Sequence, residues 1–191
     1  MYGVVIGLFV GLVTGGSPAR LSRLQFRWGL LVMLAMLAQL LLFSSPAGNA
    51  LGRAAPVVYM ATNLVVLVVV ARNLPIPGLP LVLVGGASNL LAMVANGGYM
   101  PVSRAALDAM GRTPATGYSN SALLENVQLA PLTDIFAMPL WLPVANVFSV
   151  GDVLIGAGVA IAIVAGLHGR GPRVDPTPLQ GGADELGAPE H

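Results

Sequence analysis

Five apolar stretches, separated by connections that contain proline, limit how this chain can fold more than any other feature of the sequence. They cover residues 2–16, 24–43, 55–71, 79–95 and 150–167. None of the 15 prolines falls in the middle of a stretch. This pattern favours helices, because proline removes a backbone donor and clashes with the preceding helical turn. A helix needs about 20 apolar residues to cross a bilayer, and the five stretches reach or approach that length.

The scarcity of charged residues points to the same environment. Only 9% of the residues are charged and 55% are hydrophobic, and the mean hydropathy is +0.80. A soluble domain carries roughly 25% charged residues, so this chain cannot cover itself with a surface suited to water. We predict an all-α integral membrane protein, a bundle of five transmembrane helices, with membrane lipids as its first partners.

Several classes of function lack the residues that they require. The net charge is only +1, with no block of basic residues, so a nucleic-acid-binding surface has no electrostatic basis. Cysteine is absent, and the only histidines are His168 and His191, which leaves a zinc site without its usual ligands. We therefore expect neither a metal nor a cofactor, and no nucleic-acid partner.

The arginines predict the orientation in the membrane, since short cytoplasmic loops are enriched in basic residues. The first stretch has no positive charge before its apolar run, so we interpret it as a retained span and not as a signal peptide. With the N-terminus outside, the cytoplasmic segments hold six arginines and the outer segments hold three. The six are Arg20, Arg23, Arg27, Arg72, Arg170 and Arg173, and the three are Arg53, Arg104 and Arg112. We predict a bacterial cytoplasmic (inner) membrane protein whose C-terminus is cytoplasmic.

Two segments outside the spans differ in character. Residues 169–191 are rich in glycine and proline and carry four acidic residues, which predicts a disordered cytoplasmic tail. Residues 96–148, called the cap below, form the only long connection and lie between the fourth and fifth spans on the outer side. In the cap we predict one short helix over residues 101–111 and a second over residues 119–131. Pro139 and Pro143 break the segment 133–148, which is apolar enough to lie in the membrane interface.

Asp134 and Asp152 are the candidate catalytic residues, and Asn96 and Ser149 are the candidate supporting residues. Only four acidic residues precede the tail, and a carboxylate at membrane level is costly and by default indicates function. Two carboxyl groups held close together in a low dielectric cannot both ionise easily. One keeps its proton and the other can accept one from water, which is the chemistry of an aspartic hydrolase.

Structural roles compete with this interpretation. The spacing of Ser149 and Asp152 matches a capping box, in which both side chains bind free N–H groups at a helix start. Asp134 could cap a short helix through residues 135–138, and the glycines after Asn96 are typical of a helix end. Inside the spans, interhelical hydrogen bonds are the commonest use of polar residues, and we predict them for Gln39, Asn63 and Asn89.

Three short motifs carry a resemblance to a known family. With "NGGYMPV", "LTDIF" followed by "MP", and "FSVGDVLI", the chain resembles a bacterial membrane family known only as domain of unknown function 5317. That resemblance implies a five-helix integral membrane protein with no established activity.

A second, local resemblance concerns the C-terminal third. "LTDIF" and "FSVGDVLI" are similar to the two aspartate motifs of lipoprotein signal peptidase (signal peptidase II), which would map that family's catalytic aspartates to Asp134 and Asp152. The segment "NGGYMP" is similar to the family's N-x-G-A motif. The asparagine of the second aspartate motif is Ser149 here, and the order of motifs and spans differs.

Three functions remain open from the sequence. The first is interaction or assembly within a membrane complex, with a membrane-protein partner or a second copy of the chain. The second is an intramembrane aspartyl hydrolase that acts at the outer leaflet on a peptide or lipid-linked substrate. The third is a channel or transporter component. The geometry of Asp134 and Asp152 discriminates between the second function and the others.

The orientation can be tested with reporter fusions. A periplasmic reporter fused after Thr116 should be active, because the cap is predicted to lie outside. The same reporter fused after Pro172 should be silent, because the tail is predicted to be cytoplasmic. The reverse pattern of activity would invert the orientation.

Overall fold

The computed structural model describes residues 1–43, 45–111 and 121–173, and most of these residues are helical. The predicted helical fold is therefore confirmed at this level. The helices are α1 Tyr2–Val13, α2 Pro18–Leu21, α3 Gly29–Phe43, α4 Ser45–Leu51, α5 Ala55–Arg72, α6 Leu79–Ala95, α7 Arg104–Ala109 and α8 Val150–Leu167. The strands, each of two residues, are β1 Met100–Pro101, β2 Ser121–Ala122, β3 Phe136–Ala137 and β4 Val147–Phe148. Single 3-10 turns lie at Gly52–Ala54 and Ala130–Leu132.

Each of the five apolar stretches contains one long helix, but the helices differ in length. Two helical segments, Gly48–Arg72 and Val150–Leu167, are long and apolar enough to cross a membrane. The apolar helices α1, α3 and α6 are shorter. The 12 residues of α1 cover about 18 Å at 1.5 Å per residue, less than the roughly 30 Å of a hydrocarbon core. The five predicted spans therefore stay a prediction.

Helix α1 packs through its glycines. Its buried residues are Gly3, Gly7 and Gly11, whereas Phe9 is 68% exposed. A Cβ atom on Gly7 would lie 2.9 Å from the Cα of Ala160 in α8, so only glycine permits this approach. Small residues inside and large apolar residues outside are the arrangement expected of helices that meet lipid, because lipid tails solvate large side chains as well as a core does.

Helix α8 lies between α1 and α6. The contacts of Gly3 with Gly156 and of Gly7 with Ala160 make α1 and α8 parallel. On its other side, Gly78 faces Gly158 and Gly85 faces Gly151, so α6 runs antiparallel to α8. Helix α5 packs on α6 and α3 packs on α5, which gives the neighbour order α3, α5, α6, α8, α1.

Hydrogen bonds from polar side chains connect some of these helices. Gln39 Nε2 in α3 donates to Thr62 Oγ1 in α5 over 3.1 Å, which confirms the predicted interhelical bond of Gln39. Asn63 Nδ2 instead donates to Tyr59 O over 2.8 Å within α5, so the interhelical prediction for Asn63 was wrong. This carbonyl lies one turn away in the same helix and also accepts from Thr62 Oγ1 over 2.8 Å.

The cap contains the first predicted helix but not the second. Helix α7 forms inside residues 101–111, and Gly111 with φ 59° follows it. Residues 121–129 are not helical, so this part of the second prediction was wrong, and residues 119 and 120 lie outside the described ranges. Strand β2 pairs in parallel with β1, and Val102 N donates to Ala122 O over 3.0 Å. These tertiary bonds prevail over a weak local helix preference.

The segment after Asp134 forms a short hairpin and not a helix. Strand β3 pairs antiparallel with β4, and the rings of Phe136 and Phe148 stack with their centroids 5.4 Å apart. The helix through residues 135–138 that Asp134 would cap is therefore absent, because these residues pair with β4. At the hairpin tip Trp141 is 81% exposed, and Tyr2 Oη at the start of α1 donates to Pro143 O. The predicted position of this segment in the membrane interface stays a prediction.

The glycine contact of α1 can be tested by substitution. Gly7→Leu should destabilise the folded protein by about 1–3 kcal/mol, the usual cost of overpacking, because the new side chain would displace α1 from the backbone of α8. The measurement is the thermal unfolding midpoint in detergent. Val5→Leu adds bulk on the exposed face of the same helix and should leave the midpoint unchanged. Equal midpoints for both variants would contradict the packing described here.

Candidate functional site

The four candidate residues lie at the end of the bundle that carries the cap. Asn96 directly follows α6, and Ser149 and Asp152 begin α8. Asp134 belongs to the cap, where it forms an isolated parallel bridge with Val102 next to β1. Within this end the structure groups Ser149 with Asp152, and the negative charge of Asp152 contributes to the raised pKa of Asp134.

The start of α8 is a capping box, as the sequence predicts. Ser149 N donates to Asp152 Oδ2 over 2.9 Å, and Asp152 N donates to Ser149 Oγ over 3.1 Å. Both bonds satisfy N–H groups that a helix start leaves unpaired. Ser149 is fully buried, whereas the side chain of Asp152 is exposed. One carboxylate therefore caps a helix and still meets solvent.

Asn89 in α6 is the site residue that sequence reasoning did not assign. Its predicted interhelical bond is confirmed, but the partners are the candidate residues themselves. Asn89 Nδ2 donates to Asp152 Oδ1 over 2.8 Å, and Asn89 Oδ1 accepts from Ser149 Oγ over 2.9 Å. The sequence holds no signal for this role, because 60 residues separate Asn89 from Ser149.

Gly151 makes this arrangement possible. A Cβ atom on Gly151 would collide with Asn89 Oδ1 and would lie 2.7 Å from Gly85 O. Only glycine therefore lets α6 approach the first turn of α8 closely enough for Asn89 to reach Asp152. Since both oxygens of Asp152 accept hydrogen bonds, the orientation of its carboxylate is fixed.

Asp134 is buried, in contrast to the exposed Asp152. Its backbone is held on both sides, because Asp134 N donates to Pro101 O and Ser103 N donates to Asp134 O, each over 3.0 Å. Its side chain is only 7% exposed. Among the residues that the structure describes, no group donates a hydrogen bond to this carboxyl. Burial, and secondly the negative charge of Asp152, raise the pKa of Asp134 from its ordinary value of 3.8 to about 7.

Asn96 is fully engaged in holding the cap to α6. Its Nδ2 donates to Ala92 O and to Gln128 O, each over 2.8 Å, and its Oδ1 accepts from Gln128 N over 2.8 Å. The following Gly97 and Gly98 have φ values of 71° and 92°, as predicted for a helix end. The structure therefore gives Asn96 an anchoring role, while its proposed support of the chemistry stays a prediction.

The site as a whole is a pair of carboxyl groups that differ in burial, one buried and one exposed. Burial raises the pKa of Asp134 to about 7, whereas the Asp152 carboxyl group is exposed and oriented by two neighbours. Two carboxyl groups in such different environments are the arrangement that permits acid and base roles at one pH. In the described ranges, no group of three or more His, Asp or Glu residues could hold a metal ion.

Comparison with known proteins identifies a family but no activity. A protein-family model described as a family of unknown function (DUF5317) matches residues 23–164, which include all four candidate residues and Asn89. Searches of curated proteins and of solved structures gave no match. The local resemblance to signal peptidase II therefore has no support from these comparisons.

The protonation of Asp134 is open to direct measurement. Infrared difference spectra of the wild-type protein should show a protonated carboxyl that titrates with a pKa of about 7 and is absent in Asp134→Asn. Asp152→Asn should lower that pKa, because it removes the neighbouring negative charge, but burial should keep the value above 3.8. Asp108→Asn, which removes an exposed carboxylate of α7, is the matched control and should change nothing. An unshifted pKa in Asp152→Asn would show that the two groups do not interact.

Proposed function

We propose that this chain, which belongs to the family of unknown function DUF5317, is a membrane-bound hydrolase that acts through Asp134 and Asp152. The observation that supports this proposal is the buried carboxyl of Asp134, whose pKa of about 7 is raised by burial and by the charge of Asp152. A role in assembly and a role as a channel or transporter component also follow from the sequence. No contact in the described part of the chain favours either of them, and they stay predictions.

The proposed setting is the bacterial cytoplasmic membrane, with five spans, the cap outside and the tail inside. Two helical segments are long and apolar enough to cross a membrane. The burial of glycines and the exposure of large apolar side chains along α1 support a lipid environment for a shorter helix as well. A short span is accommodated by local thinning of the bilayer at modest cost.

The two carboxyl groups receive different roles from their environments. Asp152 is the general base, since its exposed carboxylate can reach water and is held by Asn89 and Ser149. Asp134 is the general acid, because its raised pKa keeps a proton on it near neutral pH. A catalytic group works best when its pKa lies near the working pH, and Asp134 meets this condition.

The proposed reaction begins with a water molecule between the two groups. Asp152 takes a proton from this water while the water oxygen bonds to the carbonyl carbon of the substrate, and Asp134 gives its proton to the carbonyl oxygen. The tetrahedral diol then returns one hydroxyl proton to Asp134, the bond to the leaving nitrogen or oxygen breaks, and Asp152 protonates that leaving atom. Both carboxyl groups thereby regain their starting states.

The proposed substrate is a peptide or ester that the membrane itself presents. The acid pair lies where α6 and α8 meet the cap, and the hairpin of β3 and β4 follows Asp134 directly. Its tip exposes Leu140, Trp141 and Val144, and tryptophan is enriched at the membrane–water interface. A substrate anchored in the outer leaflet would reach Asp134 and Asp152 from that side.

Hydrolysis can be detected without knowing the substrate. Wild-type protein is reconstituted with bacterial membrane lipids and membrane peptides in water enriched in oxygen-18, and new carboxyl groups that carry the label are found by mass spectrometry. Asp134→Asn and Asp152→Asn should each lower labelling by about 10²–10⁴-fold, the usual contribution of a general acid or base. Asp108→Asn should label as the wild type does. Above pH 7 the rate should fall about tenfold per pH unit as Asp134 loses its proton.

Two results would contradict the proposal. Wild-type rates of labelling in Asp134→Asn or in Asp152→Asn would show that the pair does not carry the reaction. A labelling rate that keeps rising above pH 7 would show that a neutral Asp134 is not the acid.

A further inference from the structure

The end of the bundle opposite the cap brings two arginines together. The connection between α1 and α3 is bound to the end of α8, because Ser17 N donates to Leu167 O over 2.8 Å and Gln25 N donates to Pro172 O over 2.9 Å. Leu24 and Arg173 form an antiparallel bridge in the same place. These bonds fix helix α2, which carries Arg20, beside the residues that follow α8.

Arg20 and Arg173 converge over Gly169. A Cβ atom on Gly169 would lie 3.1 Å from the guanidinium carbon of Arg173 and 3.4 Å from Cδ of Arg20. Gly169 has a φ of 70°, a backbone conformation that favours glycine, so the space over it remains available to the two arginines. Both arginines are exposed. The fold thus places the side chains of two permanently charged residues beside the same glycine at the surface.

No carboxylate in the described ranges balances these charges. The acidic residues there are Asp108, Glu125, Asp134 and Asp152, and all four belong to the cap or to the cap end of α8. The remaining four follow residue 173 and lie outside the described residues. The C-terminus of α8 contributes only a partial negative charge, of about half an elementary charge. Within the described ranges the two arginines therefore have no carboxylate partner, and an anion would complete the arrangement.

We propose that Arg20 and Arg173 bind a phosphate group, and that the phosphate belongs to an anionic phospholipid. Guanidinium forks match phosphate oxygens two at a time, which makes arginine the preferred residue for such groups. The pair lies at the end of α1, whose last residues Leu12 and Val13 are exposed and apolar. A lipid can thus place its headgroup on the arginines and its acyl chains along α1. Basic sites at helix ends are a known way to bind acidic headgroups.

The test compares lipids, a free anion and two pairs of variants. The full-length protein is reconstituted with phosphatidylglycerol or with phosphatidylcholine, released into detergent and weighed by native mass spectrometry to count retained lipids. A parallel arm measures the thermal midpoint with added phosphatidylglycerol or with inorganic phosphate. Arg20→Gln/Arg173→Gln removes the pair. Arg23→Gln/Arg72→Gln removes the same charge from the same end, where Arg72 already stacks over Trp28 at 5.5 Å.

The wild-type protein should retain phosphatidylglycerol and not phosphatidylcholine. Arg20→Gln/Arg173→Gln should weaken retention about 10- to 30-fold, as expected from the loss of two basic contacts to an acidic headgroup, and the matched double variant should lose less than about threefold. Arg20→Lys/Arg173→Lys keeps the charge and should still lose part of the binding, which separates the guanidinium geometry from charge alone and guards against a folding defect in the glutamine variant.

Two outcomes would overturn the proposal. Equal retention of phosphatidylglycerol by both glutamine double variants would show that the charge of this end acts diffusely and that Arg20 and Arg173 are not a site. Equal thermal stabilisation by inorganic phosphate and by phosphatidylglycerol, with no preference in retained lipid, would assign the pair to a soluble phosphate and would remove the lipid from the proposal.

Discussion

The close contact of α8 with its two neighbours is the interaction on which the rest of the structure depends. Glycine or alanine lies on both sides of that contact, at Gly7 against Ala160 and at Gly85 against Gly151. In the membrane environment that we propose, helices have no hydrophobic reason to associate, so close backbone packing and hydrogen bonds have to hold them together. The glycines allow both. They let backbones approach, and at Gly151 they let the Asn89 side chain reach the start of the next helix.

The candidate site follows from this contact. Once α6 lies against α8, Asn89 and Ser149 fix the carboxylate of Asp152 at the helix start. The cap, anchored to α6 through Asn96, then places Asp134 in a buried position close enough for the charge of Asp152 to raise its pKa. The two carboxyl groups differ because one lies in a capping box at the surface and the other lies inside the cap. That difference, more than the presence of two aspartates, is what supports acid–base chemistry.

Carboxyl groups are distributed unevenly along the described part of the molecule. In the described residues all the carboxylates lie at the cap end, and Arg20 and Arg173 converge at the other end without one. Both proposals start from this distribution. At the cap end burial raises the pKa of Asp134, and at the opposite end the two arginines have no carboxylate partner within the described ranges. Between the two ends the exposed surface of α1 and α3 is largely apolar, so charged side chains are concentrated at the ends.

Local features of the structure could be predicted from the sequence, and features that join distant segments could not. The long helices, the capping box of Ser149 and Asp152, and the glycine end after Asn96 all depend on residues within about one helical turn, and the sequence determined them. The short helix α7 belongs to the same group. The pairing of β1 with β2, the hairpin of β3 and β4, and the contact of Asn89 with Asp152 join residues up to 63 positions apart. Only the tertiary structure decided these, because burial and pairing depend on which backbones approach each other. A sequence pattern shows which face of a helix or strand is apolar, but not which other segment packs against it. For the same reason the sequence could nominate Asp134 because acidic residues are rare in this chain, while only the fold could bury it and raise its pKa.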